Sequence, residues 1–432
     1  MKKNLLILLS LVGLCACSDS LTREVVTYKI NEPVFMSKKD FRQSVQVTSE
    51  VRKIENYGKI CFHKGFLYIS EPGVGLHVLD NRKPENPKLV AFVEIVGNAD
   101  LAIEDDVLYA DSYVDMVYFD LSNPAKPVVK GRLEDAFPDA RPAIENGYAF
   151  DYERCRSGAK DSVVVAWNLG ERSEEFIRND LGMIWHWGGN EYTEMIMDSD
   201  KGHSSGLNGS MSRFGLHKSH LYVVANNRMS IFRLSDGTPE KKNEIAVGWN
   251  VETIFSYGDN LFLGTPTGLL IYSLKGDLLQ PNFESSLQHV YGCDPVVVAD
   301  NLAYVSIRSG NICGQSNNEL IIIDVSDVRK PRKLVSYAMK NPKGLAVDDR
   351  TLFLCDDGLK IYRITEPGKL LANLVAHYPG MDAFDVIAYE KLLMLIADKG
   401  IYQYDYSDLN SVRELSFFPM AKAPLKKMKN NP

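Results

Sequence analysis

Past its first twenty residues this chain has no apolar run long enough to cross a bilayer as a helix. It has no Cys/His cluster with zinc spacing, and nothing in its motifs asks for a metal or a cofactor. An excess of one charge is missing too. The 49 Lys and Arg are mixed with 56 Asp and Glu, for a net charge of −7, which argues against a nucleic-acid partner. The one basic stretch, Lys422 to Lys429, is short and reads as a solvated end. Cysteine is sparse: seven in all, two of them (Cys15 and Cys17) in the first twenty residues. The other five, Cys61, Cys155, Cys293, Cys313 and Cys355, are odd in number, so an oxidising compartment would leave at least one unpaired. Cys61 and Cys355 lie inside apolar strand patterns and read as small buried hydrophobes.

The N-terminus reads as processing signal rather than fold. Lys2 and Lys3 precede an apolar run from Leu5 to Leu14, too short to span a bilayer but right for a signal peptide. The run ends Leu14-Cys15-Ala16-Cys17, which resembles a bacterial lipobox. That resemblance implies cleavage before Cys17 and acylation of its thiol and new amino group. Cys15 is the poorer site because bulky Leu14 precedes it. Ser18 in the next position does not argue for retention in an inner membrane. Ser18-Asp19-Ser20 resembles the short acidic export tag of surface lipoproteins, with a single acidic residue. The expected address is the cell envelope, on an outer-membrane lipid anchor, with the leaflet left open.

The remaining length exceeds a typical single core, which a repeat resolves. Three segments align: Gly75 to Asp80, Asp115 to Asp120 and Glu319 to Asp324. Each is an apolar run ending on Asp, with a proline seven residues later (Pro87, Pro127, Pro331). The Asp can accept backbone N–H bonds in the turn, and the proline opens an edge strand where its missing donor costs little. A hairpin lies upstream of each run. Its second strand carries a large residue at Tyr68, Tyr109, Tyr148, Tyr222, Phe262, Tyr304, Phe353 and Met394. Their intervals are 41, 39, 74, 40, 42, 49 and 41 residues. A unit of about 41 residues with four short strands, A to D, has the size of a propeller blade.

Eight units predict an all-β propeller of eight blades. Seven is the alternative, because the 74-residue interval makes unit three irregular. Residues 1–16 read as the signal peptide, 17–42 as a tether and N-terminal segment, and 43–418 as the propeller. An insertion is expected around 183–211, and 419–432 is the tail. Residues 43–53 read as an extra strand that could close the ring against the last blade.

The apolar run closing on Asp, followed by Ser/Asn-x-Pro-x-x-Pro, resembles the LVIVD repeat of bacterial extracytoplasmic propeller lipoproteins. The likeness is best in units one, two and six and degenerate at Ile361-Tyr362-Arg363 and Tyr404-Asp405-Tyr406. It implies a propeller and export. The family brings no agreed activity, so no catalytic residue carries over.

Residue-level chemistry is thin. Gly202-His203-Ser204-Ser205-Gly206 has the letters of a nucleophile elbow but lacks the strand-turn-helix setting, so a flexible loop is the better reading. Asp198-Ser199-Asp200-Lys201-Gly202 opens like a calcium loop without the later ligands. Trp185-His186-Trp187 is either a sugar platform or packing for a long loop. A disulfide is expected between Cys293, ahead of strand A in unit six, and Cys313 in its long B–C loop, since both stand at one end of the blade. Closing that loop of about 20 residues is worth roughly 3 kcal/mol in the chain-entropy model.

A four-stranded blade puts its D–A and B–C connections at one end and its A–B turns, such as Lys64-Gly65 and Asn146-Gly147, at the other. The longer loops (Asp151 to Asp161, Arg308 to Asn318) share the first end, so a ligand is expected there, over the channel. The candidate residues are Asp100, Tyr113, Asp115, Arg156, Glu252, Asp294, Arg308 and Asp385; the alternative is that the carboxylates merely solvate the rim. The leading expectation is a monomeric, non-catalytic binding or scaffold lipoprotein, with a glycan or an envelope protein as partner. The competing one is a polysaccharide-acting hydrolase or lyase, which needs carboxylates or a Tyr/His/Arg set converging in the central pocket.

Overall fold

The computed structural model describes residues 22–144, 146–178, 184–186, 212–225, 227–248, 251–288, 295–308 and 318–421. The Asp that closes each apolar run does what the pattern predicts. Asp80, Asp120, Asp324 and Asp405 each accept, through Oδ1, the N–H two residues on, at 3.2, 2.6, 3.0 and 2.9 Å. Bonds from Arg82, Ser122, Ser326 and Ser407 respectively hold these carboxyls below the usual carboxylate range. The turn then hands the chain to strand D. In all seven C–D pairs the register shifts by a bulge, which adds twist to the outer edge.

Among the described residues these units make seven antiparallel four-stranded blades, strands in chain order. We number them I (60–94), II (101–133), III (214–246), IV (253–288), V (296–338), VI (345–378) and VII (383–419). The count is the alternative of seven rather than eight. Tyr68, Tyr109, Tyr222, Phe262, Tyr304, Phe353 and Met394 are all buried, as a blade core requires, but Tyr148 is 40 % exposed. Asn146-Gly147 is therefore not an A–B turn. Asn146 instead exchanges amide bonds with Asn31 at 2.9 and 2.7 Å, pinning a loop to the N-terminal strand.

Unit three is an excursion from the ring, between blades II and III. Asp151 to Asp161, expected as a loop, contains a helix, Tyr152–Gly158, capped by Asp151 Oδ1 on the Arg154 N–H at 3.0 Å. A long strand follows, Ser162–Arg178, antiparallel to Thr22–Ser37. The stretch read as a tether is thus half of a ribbon some 50 Å long at the usual rise per residue. A short helix, Lys38–Gln43, seats its base: Phe41 is fully buried with Val114 and Val163.

Among the described residues no strand is shared between the first and last blades. Ile60, Leu67, Ile69 and Leu79 of blade I pack on Phe384, Ile387, Met394, Ile396 and Ile401 of blade VII. A reciprocal, buried amide pair joins Asn81 and Gln403 at 2.8 and 2.7 Å. The extra strand expected in 43–53 exists as Gln46–Thr48, but it pairs with the outer strand of blade I, Lys88–Glu94, not with the last blade. Just past that segment Ile54 packs with Phe384 and Ile387 of blade VII, and its carbonyl accepts the N–H of Ala421, beyond the last strand, at 2.9 Å.

Candidate functional site

The first residues of the inner strands surround the channel at the end that carries the B–C and D–A connections. Lys59, Asp100 and Arg213 hold equivalent places in blades I, II and III: the carbonyl of each accepts a strand-B N–H, from Ser70, Asp111 and Val224. They put a cation, an anion and a cation side by side. Lys59 Nζ lies 2.8 Å from Asp100 Oδ2, and both side chains are fully buried. The Arg213 N–H also donates to Asp100 Oδ2, at 2.9 Å, while its guanidinium reaches Asp111 Oδ2 at 3.2 Å. Asp111 Oδ1 accepts the N–H groups of Ala99 (2.7 Å) and Asp100 (2.8 Å) and the Asn98 amide (3.1 Å).

Burial dominates the titration of this cluster. It pushes Lys59 down to about 8, against the pull of Asp100, and it raises Asp111 against the Arg213 charge. Across the mouth, Tyr57 is pushed up to about 12 by burial and then by Asp382 and Asp398, while Arg308 of blade V pulls the other way. Tyr57 just ahead of blade I, Arg308 of blade V, and Asp382 and Asp398 at the start and within blade VII thus stand within electrostatic reach over the channel. Lys343 adds an ion pair to Asp382 at 2.5 Å.

The candidate residues fall in three places. Asp100, Glu252, Arg308 and Asp385 belong to the channel end. Asp385 is buried in blade VII, and its Oδ1 lies so close to Gly344 that a Cβ there would meet it at 2.3 Å. Tyr113 and Asp115 lie at the base of the ribbon instead. Tyr113 stacks near Phe41 at 6.5 Å and donates to Val165 O at 3.3 Å. Asp115 is buried under Arg42 Nε (3.0 Å), Arg132 Nη1 (3.0 Å) and the Asp135 N–H (2.8 Å). Arg156 is exposed on the excursion helix, away from both. Asp294, Cys293, Cys313 and Cys17 lie outside the described residues, as do the 198–206 motifs. Cys61, Cys155 and Cys355 are free and buried.

Sequence reasoning missed Lys59, Asp111 and Arg213. A signal existed: Arg213 precedes Phe214–His217 as Asp100 precedes Leu101–Glu104, so the aligned repeat pairs opposite charges. Chemically the mouth offers a mixed rim of donors and acceptors. Among the described residues no group of His, Cys, Asp and Glu could hold a metal ion.

No family model matches the chain, and no curated protein does. Similar solved structures include the computationally designed Ika8 protein, with a TM-score of 0.48 at 8 % identity over 85 % of this chain and 90 % of that one. A putative 6-phosphogluconolactonase from Bacteroides fragilis NCTC 9343 has a TM-score of 0.48 at 10 % identity, over 85 % and 95 % of the two chains. Another from Bacteroides uniformis ATCC 8492 has 0.47 at 10 %, over 73 % and 83 %. At such scores nothing carries over from them to this chain.

Proposed function

We propose that this chain is a non-catalytic binding or scaffold lipoprotein of the bacterial envelope, anchored to the outer membrane through Cys17 and built on LVIVD-type repeats. The observation that carries the reading is the fate of the carboxylates. Asp100 is spent on Lys59 and Arg213, and Asp115 on Arg42 and Arg132, all inside the scaffold. A glycosidase needs two carboxyls held a fixed distance apart and aimed at substrate; these are aimed at their own scaffold. The rigid ring then presents the mouth, with Arg308, Tyr57 and Lys343, to an envelope glycan or protein.

Two measurements test it together. Membrane fractionation should find the wild type in the detergent-soluble fraction and Cys17→Ala as uncleaved precursor or released protein; unchanged membrane association of the variant refutes the anchor. Affinity electrophoresis in gels containing envelope polysaccharide should retard the chain without releasing reducing ends. Sustained release of reducing ends by the wild type, lost in a mouth variant such as Arg308→Ala, would make it an enzyme.

A further inference from the structure

The C–D turn is seven residues or longer in six of the blades: 81–87, 121–127, 274–281, 325–331, 364–373 and 406–412. In blade III it is two, Asp236 and Gly237, between Arg228–Ser235 and Thr238–Ala246. The long turn has a job at the junction. The third residue of strand B in the preceding blade reaches over to it, so that Tyr68 donates to Pro124 O at 2.9 Å and Tyr222 to Leu278 O at 2.9 Å. Tyr109 holds the same place in blade II and is 1 % exposed, but blade III has no long turn to meet it, and among the described residues no bond like that of Tyr68 or Tyr222 joins its hydroxyl to the next blade. Tyr304 meets the next blade differently, in one apolar cluster with Leu370 of blade VI's ten-residue turn.

Where the turn is missing a hollow of about 510 Å³ opens, lined by Glu104, Asp105, Val107, Tyr109, Lys130 and Ser219 together with Leu234, Asp236 and Gly237. That is within the range of small-ligand sites. Lys130 Nζ is held at its edge by Asp236 O at 2.7 Å, and Glu104 Oε1 by the Ser219 N–H at 3.3 Å. Burial, with Asp105 beside it, raises the Glu104 carboxyl against the Ser219 bond. Val107 and Leu234, both almost fully buried, leave only a narrow apolar strip at its floor.

We propose that this hollow is a binding site for one neutral sugar residue, held by Glu104, Tyr109 and Lys130 against Val107 and Leu234. A cation would meet the Lys130 ammonium, and an anion would meet Glu104 and Asp105. A neutral polyol uses the acceptors and the donor at once, and one C–H edge meets the apolar strip. The site lies at the A–B turn end, opposite the channel mouth, and does not depend on what the mouth binds.

The test is ligand-observed NMR on the mature chain with the methyl glycosides of glucose, galactose and mannose, and with N-acetylglucosamine. At least one should show saturation transfer at millimolar concentration. Tyr109→Phe should weaken it about threefold to tenfold, Glu104→Gln about tenfold or more, and Tyr68→Phe not at all, with thermal stability checked for each. The proposal fails if none of the four binds, or if both hollow variants bind as the wild type does. Loss in Arg308→Ala with Tyr109→Phe intact would move the site to the mouth and leave the proposed function standing. Binding of putrescine in place of the sugars, lost in Glu104→Gln, would overturn the neutral class.

Discussion

The junction between blades I and II and the junction between II and III start from the same tyrosine in the same place. In the first, Tyr68 crosses to the carbonyl of Pro124 and the seam is closed. In the second, Tyr109 meets an opening, and lysines from both blades bridge it: Lys130 Nζ bonds Asp236 O at 2.7 Å and Lys241 Nζ bonds Ala136 O at 3.0 Å. The second junction is also where the excursion leaves and rejoins the ring. A repeat protein changes its surface by shortening one turn and lengthening one connection, while the buried positions stay as they were.

The largest expected effect concerns what both junctions share at the channel end. Asp100→Ala removes the carboxylate that Lys59 and Arg213 both use, and should cost about 3–5 kcal/mol in urea unfolding. A loss under about 1 kcal/mol would mean that the cluster does not hold the blades together. Next comes pH. The folded Lys59 loses its proton near 8 and an unfolded lysine near the ordinary value of 10.5. Between those values the unfolded chain binds more protons, so stability rises with pH across that window, by roughly 3 kcal/mol for this group, and the penalty is complete below it. The rise should vanish in Lys59→Met; an identical pH profile in the variant contradicts it.

Smaller effects separate the two seams. Gly237→Ala puts a side chain at φ +72° with its Cβ 2.5 Å from Val107 Cγ2, and should destabilise by about 2 kcal/mol. Gly147→Ala, at φ +71° with open space around it, should cost about half of that, the backbone part alone. Tyr68→Phe should cost about 1 kcal/mol for its lost bond to Pro124, whereas Tyr109→Phe, which breaks no such bond, should be close to neutral. Equal losses in the two variants would show that Tyr109 has a partner after all.

The blades were legible because short apolar runs, buried on both faces, and the large strand-B residue recur at intervals of about 41 residues, with the Asp-to-proline turn marking three of the units. Unit three misled for a local reason. Asn146-Gly147 has the letters of a hairpin turn and Tyr148 falls at the right interval, yet no apolar alternation follows that could form strand C. Ser235-Asp236-Gly237-Thr238 was equally readable as a tight hairpin, but a hollow is the consequence of a segment that is not there. Its walls come from three turns distant in sequence. Lys59 was unreadable for a different reason: in Gly58-Lys59-Ile60 nothing marks the lysine as buried, and only the ring brings Asp100 to it.

The ribbon sets an order of events. Thr22–Ser37 finds its partner 125 residues later, at Ser162, once blades I and II have been made between them. Closing a chain loop of that size costs about 4 kcal/mol of entropy, which the two folded blades reduce by holding the ends near each other. Until then the first strand has an unpaired edge, open to pairing with any other strand it meets, and even in the finished ribbon Val25 stays largely exposed. A chain emerging N-terminus first therefore holds this edge unpaired until Ser162–Arg178 has been made. A holding chaperone would find its natural substrate in these sixteen residues.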